Sequence, residues 1–406
     1  MAHSRLYGRV FLYNSDTMPL LNRLRLKTRA YKKFIEDYVD SPIRSNNTVQ
    51  ILTNGDEIFP AMLDAIRSAH QSIALLTYVY WRGDIATQFA EALAEKAKAG
   101  VSVAVMMDAF GSSKINAELI TMMQDAGVEF RWFRPVKWYT LHKLNNRTHR
   151  KILVVDQRVG FLGGVGIADE WTGDAQDVNH WRDTHFRIEG PAVSDLIASF
   201  NDNWVEGGGA ALDTTYLGST KAGIQTVQVT SSKAMPGRTH ADKLFMSLIR
   251  SAQQSIHITT AYFAPSSQFC NALIVARATG VKVTILTNGP HTNHAITRKA
   301  GHRYYKRLLA AGIEIHEYQQ TLIHTKVVTI DGHWACVGSI NFDDRSFVLN
   351  DEINLSITDP DFVAKLDTQM AKDLAVSKRM VLYKWIKRPL NDRFVELVSS
   401  LFRPQL

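Results

Sequence analysis

The chain repeats itself, and this duplication restricts the fold more than any other feature of the sequence. "AIRSAHQSIALLTYVYW" (Ala65–Trp81) parallels "LIRSAQQSIHITTAYFAP" (Leu248–Pro265), "KAGVSVAVMMD" parallels "ATGVKVTILTN", and "MMQDAGVEFRWF" parallels "LLAAGIEIHEY". Each half then runs into a His-x-Lys segment, "THRKILVVD" (Thr148–Asp156) and "LIHTKVVTID" (Leu322–Asp331), followed by a glycine turn, "GFLGGVG" and "ACVGSIN". Short β-branched runs such as "VSVAVMM" and "VKVTILT" alternate with alanine-rich helical stretches, which predicts an α/β sandwich in each half. With 406 residues the chain exceeds what a single core usually organises, and two pseudo-twofold-related domains are expected. The expected division is a basic amphipathic segment over 1–46, domains over 47–212 and 213–378, and an amphipathic helix over 379–406. The Gly- and Thr-rich "VEGGGAALDTTYLGSTKAG" is the expected linker. Halves this alike do not have separate tasks, so one shared site between them is predicted.

An apolar content of 45% with 21% charged residues is that of an ordinary folded chain. The net charge of +8 points to an anionic partner without separating nucleic acid from a membrane surface. No apolar run approaches the ~20 residues that span a bilayer, and the N-terminus lacks the apolar core of a signal peptide. Cys270 and Cys336, the only two cysteines, sit among apolar neighbours, as in a reducing compartment. The expectation is a cytoplasmic protein, soluble or attached to a surface. "MPLLNRLRLKTRAYKKFIEDYVD" (Met18–Asp40) is predicted to be a basic amphipathic helix. Near the C-terminus Leu390, Phe394, Leu397, Val398, Leu401 and Phe402 follow helical spacing, flanked by Trp385 and the five cations Lys384, Lys387, Arg388, Arg393 and Arg403. Two readings stay open there: a helix packed on the body, or an interfacial helix with aromatic and cationic anchors.

Residues two apart in a strand share a face, so His149 and Lys151 point together, as do His324 and Lys326. Asp156 and Asp331 stand at odd offsets and fall on the opposite face, where they fix local structure. An imidazole beside an ammonium is costly to bury without an anion between them. A phosphate supplies that anion: Lys neutralises the phosphoryl oxygens and a neutral His attacks phosphorus. The histidine of the other half protonates the leaving oxygen.

His149-x-Lys151-x4-Asp156 and His324-x-Lys326-x4-Asp331 resemble the paired HKD motifs of the phospholipase D superfamily, over roughly Val49 to Asp359. Within it, "QSIALLTYVYWRGD", "FRIEGPAV", "LIHTKVVTIDGHWACVGSINFDDRS" and the ending "LFRPQL" look most like bacterial cardiolipin synthases. The resemblance implies two phospholipase D-type α/β/α sandwiches and a ping-pong phosphatidyl transfer through a phosphohistidine, without metal or other cofactor. It implies that two phosphatidylglycerols become cardiolipin and glycerol. The implied partners are anionic phospholipid and the membrane surface, reached peripherally from the cytoplasmic side of a bacterial inner membrane. Hydrolysis to phosphatidic acid, a nuclease using the same motifs, and a lipid-binding module with relic motifs are the alternatives. The basic charge fits a nuclease too, the C-terminal amphipathic helix argues against it, and two intact His-Lys pairs argue against a relic. The sequence does not say which histidine attacks; His149 is preferred.

Each histidine needs a carboxylate on its second nitrogen. The repeat and the family pattern offer Asp183 in "WRDTHFRIEG" and Glu352 in "NDEINLSI", and the expected pairs are His149–Asp183 and His324–Glu352. Ser339 and Asn341 share parity and are expected to donate to phosphate oxygens. In the first half Gly164 and Gly166 take their places, Gly166 where the family usually has Asn, so a lopsided cradle is predicted. His291 and His294 lack a further ligand cluster and are read as loop residues at the rim, and His142 as a loop residue near the mouth. Tyr78, Tyr80, Trp81, Tyr262 and Phe263 lie at strand ends, lining a lipid groove or simply packing. Arg345 and Asn350 support the second motif or only its loop.

Overall fold

The computed structural model describes residues 26–135, 145–233 and 239–389, with Asn391, Val395, Glu396, Val398 and Ser399 beyond them. The first half contributes β1 (Ile43–Thr53), β2 (Ser72–Thr77), β3 (Ser102–Asp108), β4 (Glu129–Phe133), β5 (Ile152–Val155), β6 (Val159–Gly163) and β7 (Thr184–Glu189). The second contributes β8 (Gln225–Ser232), β9 (Ser255–Thr259), β10 (Phe263–Ala264), β11 (Lys282–Asn288), β12 (Glu314–Tyr318), β13 (Val327–Ile330), β14 (Trp334–Gly338), β15 (Phe342–Asp343), β16 (Glu352–Thr358) and β17 (Ser377–Arg379). All but β10 and β15 join one 15-stranded sheet, ordered β4-β3-β2-β5-β6-β7-β1-β8-β16-β14-β13-β9-β11-β12-β17. The order is a palindrome about the antiparallel β1–β8 pair, apart from β17 on one edge. The two halves are thus a single sheet that meets its own copy edge to edge.

In each half the first three strands of the repeat are parallel, β2-β3-β4 and β9-β11-β12. Crossover helices join them, as parallel pairing requires. β3 and β11 are buried at every position but the first, the pattern of strands covered on both faces. The strands that follow them in the large sheet are antiparallel. On one face, the helices Val193–Glu206 and Pro360–Ala375 cover a core drawn from both halves, including Phe186, Phe200, Trp204, Val327, Ile353 and Phe362. On the other, each half keeps its own core.

Asp156 and Asp331 close the turns after β5 and β13 with φ of 51° and 52°. Asp156 accepts from the backbone N–H groups of His70, Gln71 and Ser72, and Asp331 from those of Gln253, Gln254 and Ser255. Each carboxylate thereby straps a motif strand to the start of β2 or β9.

The first described helix runs over Arg29–Val39, with Thr28 as its N-cap. It is shorter than the Met18–Asp40 expectation, whose residues 18–25 lie outside the described ones. Tyr31, Ile35 and Val39 repeat every four residues and bury one face in the core of the second half. Tyr31 meets Trp334 edge-on at 5.7 Å. Near the C-terminus, Trp385 is buried on the helix Leu382–Ile386. Val398 is the only described member of the expected apolar stripe, and it is exposed; Leu390, Phe394, Leu397, Leu401 and Phe402 lie outside the described residues. Glu396 turns inward instead, accepting hydrogen bonds from Arg388 at 2.5 and 3.2 Å. Among the described residues no helix is long and apolar enough to cross a membrane.

Candidate active site

Both His-x-Lys segments are extended chain just ahead of β5 and β13, and the sheet's symmetry brings their tips together. What anchors each tip differs. Asp108, at the end of β3, makes a buried ion pair with Arg147 and accepts from the Thr148 N–H at 3.2 Å. Arg147 also donates to the carbonyls of Phe133 and Arg134. In the second half Asn288 ends β11, accepts from the Ile323 N–H at 2.8 Å and donates to the Ala261 carbonyl at 2.7 Å. A charged clamp and a neutral one hold equivalent loops.

Each motif segment is then bridged to the opposite half. Thr148 pairs with Asp351, and Arg182 with Ile323, as isolated parallel bridges. The His149 N–H donates to the Asp351 carbonyl at 2.8 Å, and the His324 N–H to the Arg182 carbonyl at 2.7 Å. Arg182 is itself fixed by Asp373, at 3.1 Å to both oxygens. The bridges carry the carboxylates across: His149 Nδ1 lies 3.0 Å from both oxygens of Glu352, and His324 Nδ1 lies 2.8 Å from Asp183. The expected pairs His149–Asp183 and His324–Glu352 are therefore wrong. The carboxylates are right and the partners are exchanged, because the edge-to-edge sheet places each motif beside the carboxylate strand of its copy.

Ser339 is also corrected. Its hydroxyl is fully buried and donates to Glu352 rather than toward a substrate phosphate, and it accepts from the Ile353 N–H at 3.0 Å. The first half achieves the same end with a different group. At Gly164 a Cβ would stand 2.5 Å from Asp183 Oδ1, so no serine fits, and the Trp171 indole donates to Asp183 at 2.9 Å instead. At Gly166 a Cβ would meet Val79 at 2.7 Å and Trp171 at 3.2 Å. The space that Asn341 occupies in one half is filled by Val79 and Trp171 in the other.

The segments converge on a cavity of about 640 Å³ lined by His149, Lys151, His324 and Asn341. The Lys151 ammonium donates to the His149 carbonyl at 2.8 Å, and Lys326 makes the matching bond to the His324 carbonyl. Tyr78 meets His149 edge-on at 5.1 Å, while Trp171, Trp181 and Tyr262 surround His324 at 5.2, 5.8 and 6.3 Å. Tyr78, Trp81 and Tyr262 thus line the site, while Tyr80 and Phe263 are core. His294, Arg345 and Asn350 line it as well, and His142 lies outside the described residues. The sequence reading missed Asp108, Arg147, Trp171 and Trp181. Two tryptophans in a polar loop just ahead of Asp183 are the signal that was available for the last two.

Burial is the largest influence on the titration of the site. It pushes His149 down to about 4 and His324 to about 3, against the pull of their carboxylates. It lowers Lys151 to about 7 and Lys326 to about 8. Burial pushes Asp183 up, but His324 and Lys326 outweigh it and hold the carboxyl at about 2. Glu352 is likewise held low by His149, Lys151 and Ser339 against its burial. Without bound phosphate both imidazoles are neutral at neutral pH, each donating Nδ1–H to an ionised carboxylate. Nε2 of each ring is left with a free lone pair.

The profile described as "Cardiolipin synthase, PLD-like domain" matches residues 62–204 and 245–374. The chain is 36% identical over 372 residues to a cardiolipin synthase of Alkalihalophilus pseudofirmus, covering 90% of this chain and 74% of that one. It is 33% identical over 396 residues to the probable cardiolipin synthase YwiE of Bacillus subtilis, covering 96% and 79%. In fold it is similar to a phosphatidylserine synthase of Haemophilus influenzae, with a TM-score of 0.73, 15% identity, and coverage of 93% of this chain and 100% of that one. Duplicated motifs, a palindromic sheet and relatives that match most of their length agree: the chain belongs to the cardiolipin synthase family of phospholipase D-like enzymes.

Proposed function

We propose that the enzyme transfers a phosphatidyl group from one phosphatidylglycerol to another, giving cardiolipin and glycerol. The observation that carries this reading is the pair of carboxylate-held imidazoles facing one cavity. In the first step Nε2 of one histidine attacks phosphorus, a P–N bond forms, and the P–O bond to glycerol breaks. The second histidine enters this step as imidazolium and gives its proton to the departing oxygen. Its carboxylate and the incoming phosphodiester charge favour that proton against burial. In the second step the incoming alcohol passes its proton to the same, now neutral, imidazole. Its oxygen bonds to phosphorus and the P–N bond breaks. Lys151 and Lys326 offset the charge on the phosphoryl oxygens, and Asn341 is the side chain placed to donate to them. Asp183 and Glu352 hold tautomer and orientation, and Asp156 and Asp331 hold the strands. His149 is the proposed nucleophile, since its ring is less enclosed by aromatic neighbours than that of His324.

The exposed Phe110 (59%) lines the cavity, Ile296 (57%) precedes the lining residue Thr297, and Val348 (45%) lies between the lining residues Ser346 and Asn350 in the chain. With the net charge of +8, this rim supports an anionic bilayer as the surface from which substrate enters. It supports peripheral attachment, and the cytoplasmic face is the proposed side. The test is mass spectrometry of lipids after incubating the purified protein with phosphatidylglycerol vesicles. Cardiolipin plus glycerol is expected, at a rate unchanged by EDTA. Phosphatidic acid alone would replace the transferase with a hydrolase, and no lipid product from folded protein would remove the reading.

A further inference from the structure

One buried acid in the cavity has no part in the mechanism above. Asp343 lines the wall formed by β15 and the turn after it, and only 3% of its surface is exposed. Its carboxylate accepts one hydrogen bond, from the Ser346 N–H at 2.8 Å, and forms no ion pair among the described residues. Burial pushes the carboxyl up to about 7. Asn350, 6% exposed, lines the same cavity, and its amide oxygen has no hydrogen-bond partner among the described residues. The amide oxygen of Asn341, between this wall and the histidines in chain order, has none among them either. A buried acceptor without a donor is costly, so this wall is built for a ligand that brings donors.

The phosphate already has the histidines and lysines as partners, so the wall serves another part of the substrate. That part is not an ammonium, because Lys114, Lys151 and Arg345 line the same cavity and would repel a further cation. Hydroxyl groups remain. The wall is also one-sided. β15 pairs in parallel with β10, and Tyr80 bridges Ile167 at the matching place in the first half. Aligning "GGVGIA" with "GSINFD" puts Ala168 where the second half has Asp343. The phosphate has a histidine and a lysine from each half, whereas the acceptor wall belongs to the second half alone.

We propose that Asp343 and Asn350 form an alcohol subsite that takes a vicinal diol, the glycerol portion of the leaving and incoming alcohols. This rests on the phosphatidyl-transfer reading above. A site made to bond a hydroxyl discriminates strongly against the analogue that lacks it. The experiment supplies phosphatidylglycerol vesicles with equal concentrations of 1,2-propanediol, 1-propanol and ethanolamine, and measures the ratio of the phosphatidyl esters formed. The wild type is expected to favour the diol over propanol about tenfold or more, and Asp343→Asn to bring that ratio close to one. Asn350→Ser should reduce it several-fold, and it serves as the test if Asp343→Asn does not fold. An unchanged diol-to-propanol ratio in the folded variants overturns the subsite while leaving transfer intact. A wild-type preference for ethanolamine that Asp343→Asn abolishes would replace the diol with an ammonium. Cardiolipin without any of the added esters would overturn the subsite alone, and a wild type that forms neither cardiolipin nor esters would remove the transfer reading and this inference with it.

Discussion

At the scale of single residues, the site depends on two buried imidazoles held in one orientation by ionised carboxylates, one attacking as the neutral ring and the other carrying the proton it gives to the leaving oxygen. Removing either ring removes a step, so His149→Ala and His324→Ala are each expected to lower turnover by roughly a thousandfold or more. Thermal unfolding should confirm that both variants stay folded. The exchanged carboxylates give a sharper check. Glu352→Gln should impair the same half-reaction as His149→Ala, and Asp183→Asn the same as His324→Ala, when formation and breakdown of the phosphohistidine are timed separately. The opposite correspondence would contradict the geometry. The lysines set a pH dependence. With Lys151 at about 7 and Lys326 at about 8, the empty enzyme loses its phosphate-attracting charges as pH rises through that range. Therefore kcat/KM should fall between pH 7 and pH 9. Bound phosphate holds the lysines protonated, so kcat should fall less, as pH–rate profiles of the two parameters would show.

At the scale of elements, equivalent strands carry their catalytic groups on different supports. Asp108–Arg147 and Asn288 hold matching loops, and the Trp171 indole and the Ser339 hydroxyl hold matching carboxylates. The duplication has kept the positions of the acids and bases while their supports diverged. Restoring symmetry should therefore cost stability. Gly166→Asn would press a side chain against Val79 and Trp171, and is expected to destabilise by about 1–3 kcal/mol as overpacked cores do. Chemical denaturation measures this directly. The repeat reading expected a difference at Gly164 and Gly166 but not its cause, because Asp183 and Trp171, which crowd these glycines, lie outside the matched segments.

At the scale of the molecule, the palindromic sheet makes the two halves one body with one cavity. The C-terminal segment is held to it through Arg388, Glu396 and the buried His302, whose ring lies 3.5 Å from Glu396. Val395 and Val398 are exposed on that segment, and the two readings of it differ in what they predict for vesicle binding. Deleting the chain after Arg388 should weaken co-sedimentation with anionic vesicles, most clearly at low ionic strength. Unchanged binding would return the segment to a packing role. The chain's local patterns were enough to reveal the duplication, the α/β class, the His-x-Lys pairs and the two carboxylates. Each of these is a matter of residue type and short-range spacing, which survive in a linear string. The pairing of His149 with Glu352 and His324 with Asp183, the diversion of Ser339 to Glu352, and the gathering of Trp171, Trp181 and Asp343 around one cavity came from the fold. They depend on which edges of two similar half-sheets meet, and residues that the repeat makes equivalent offer no local preference between partners in their own half and in the other.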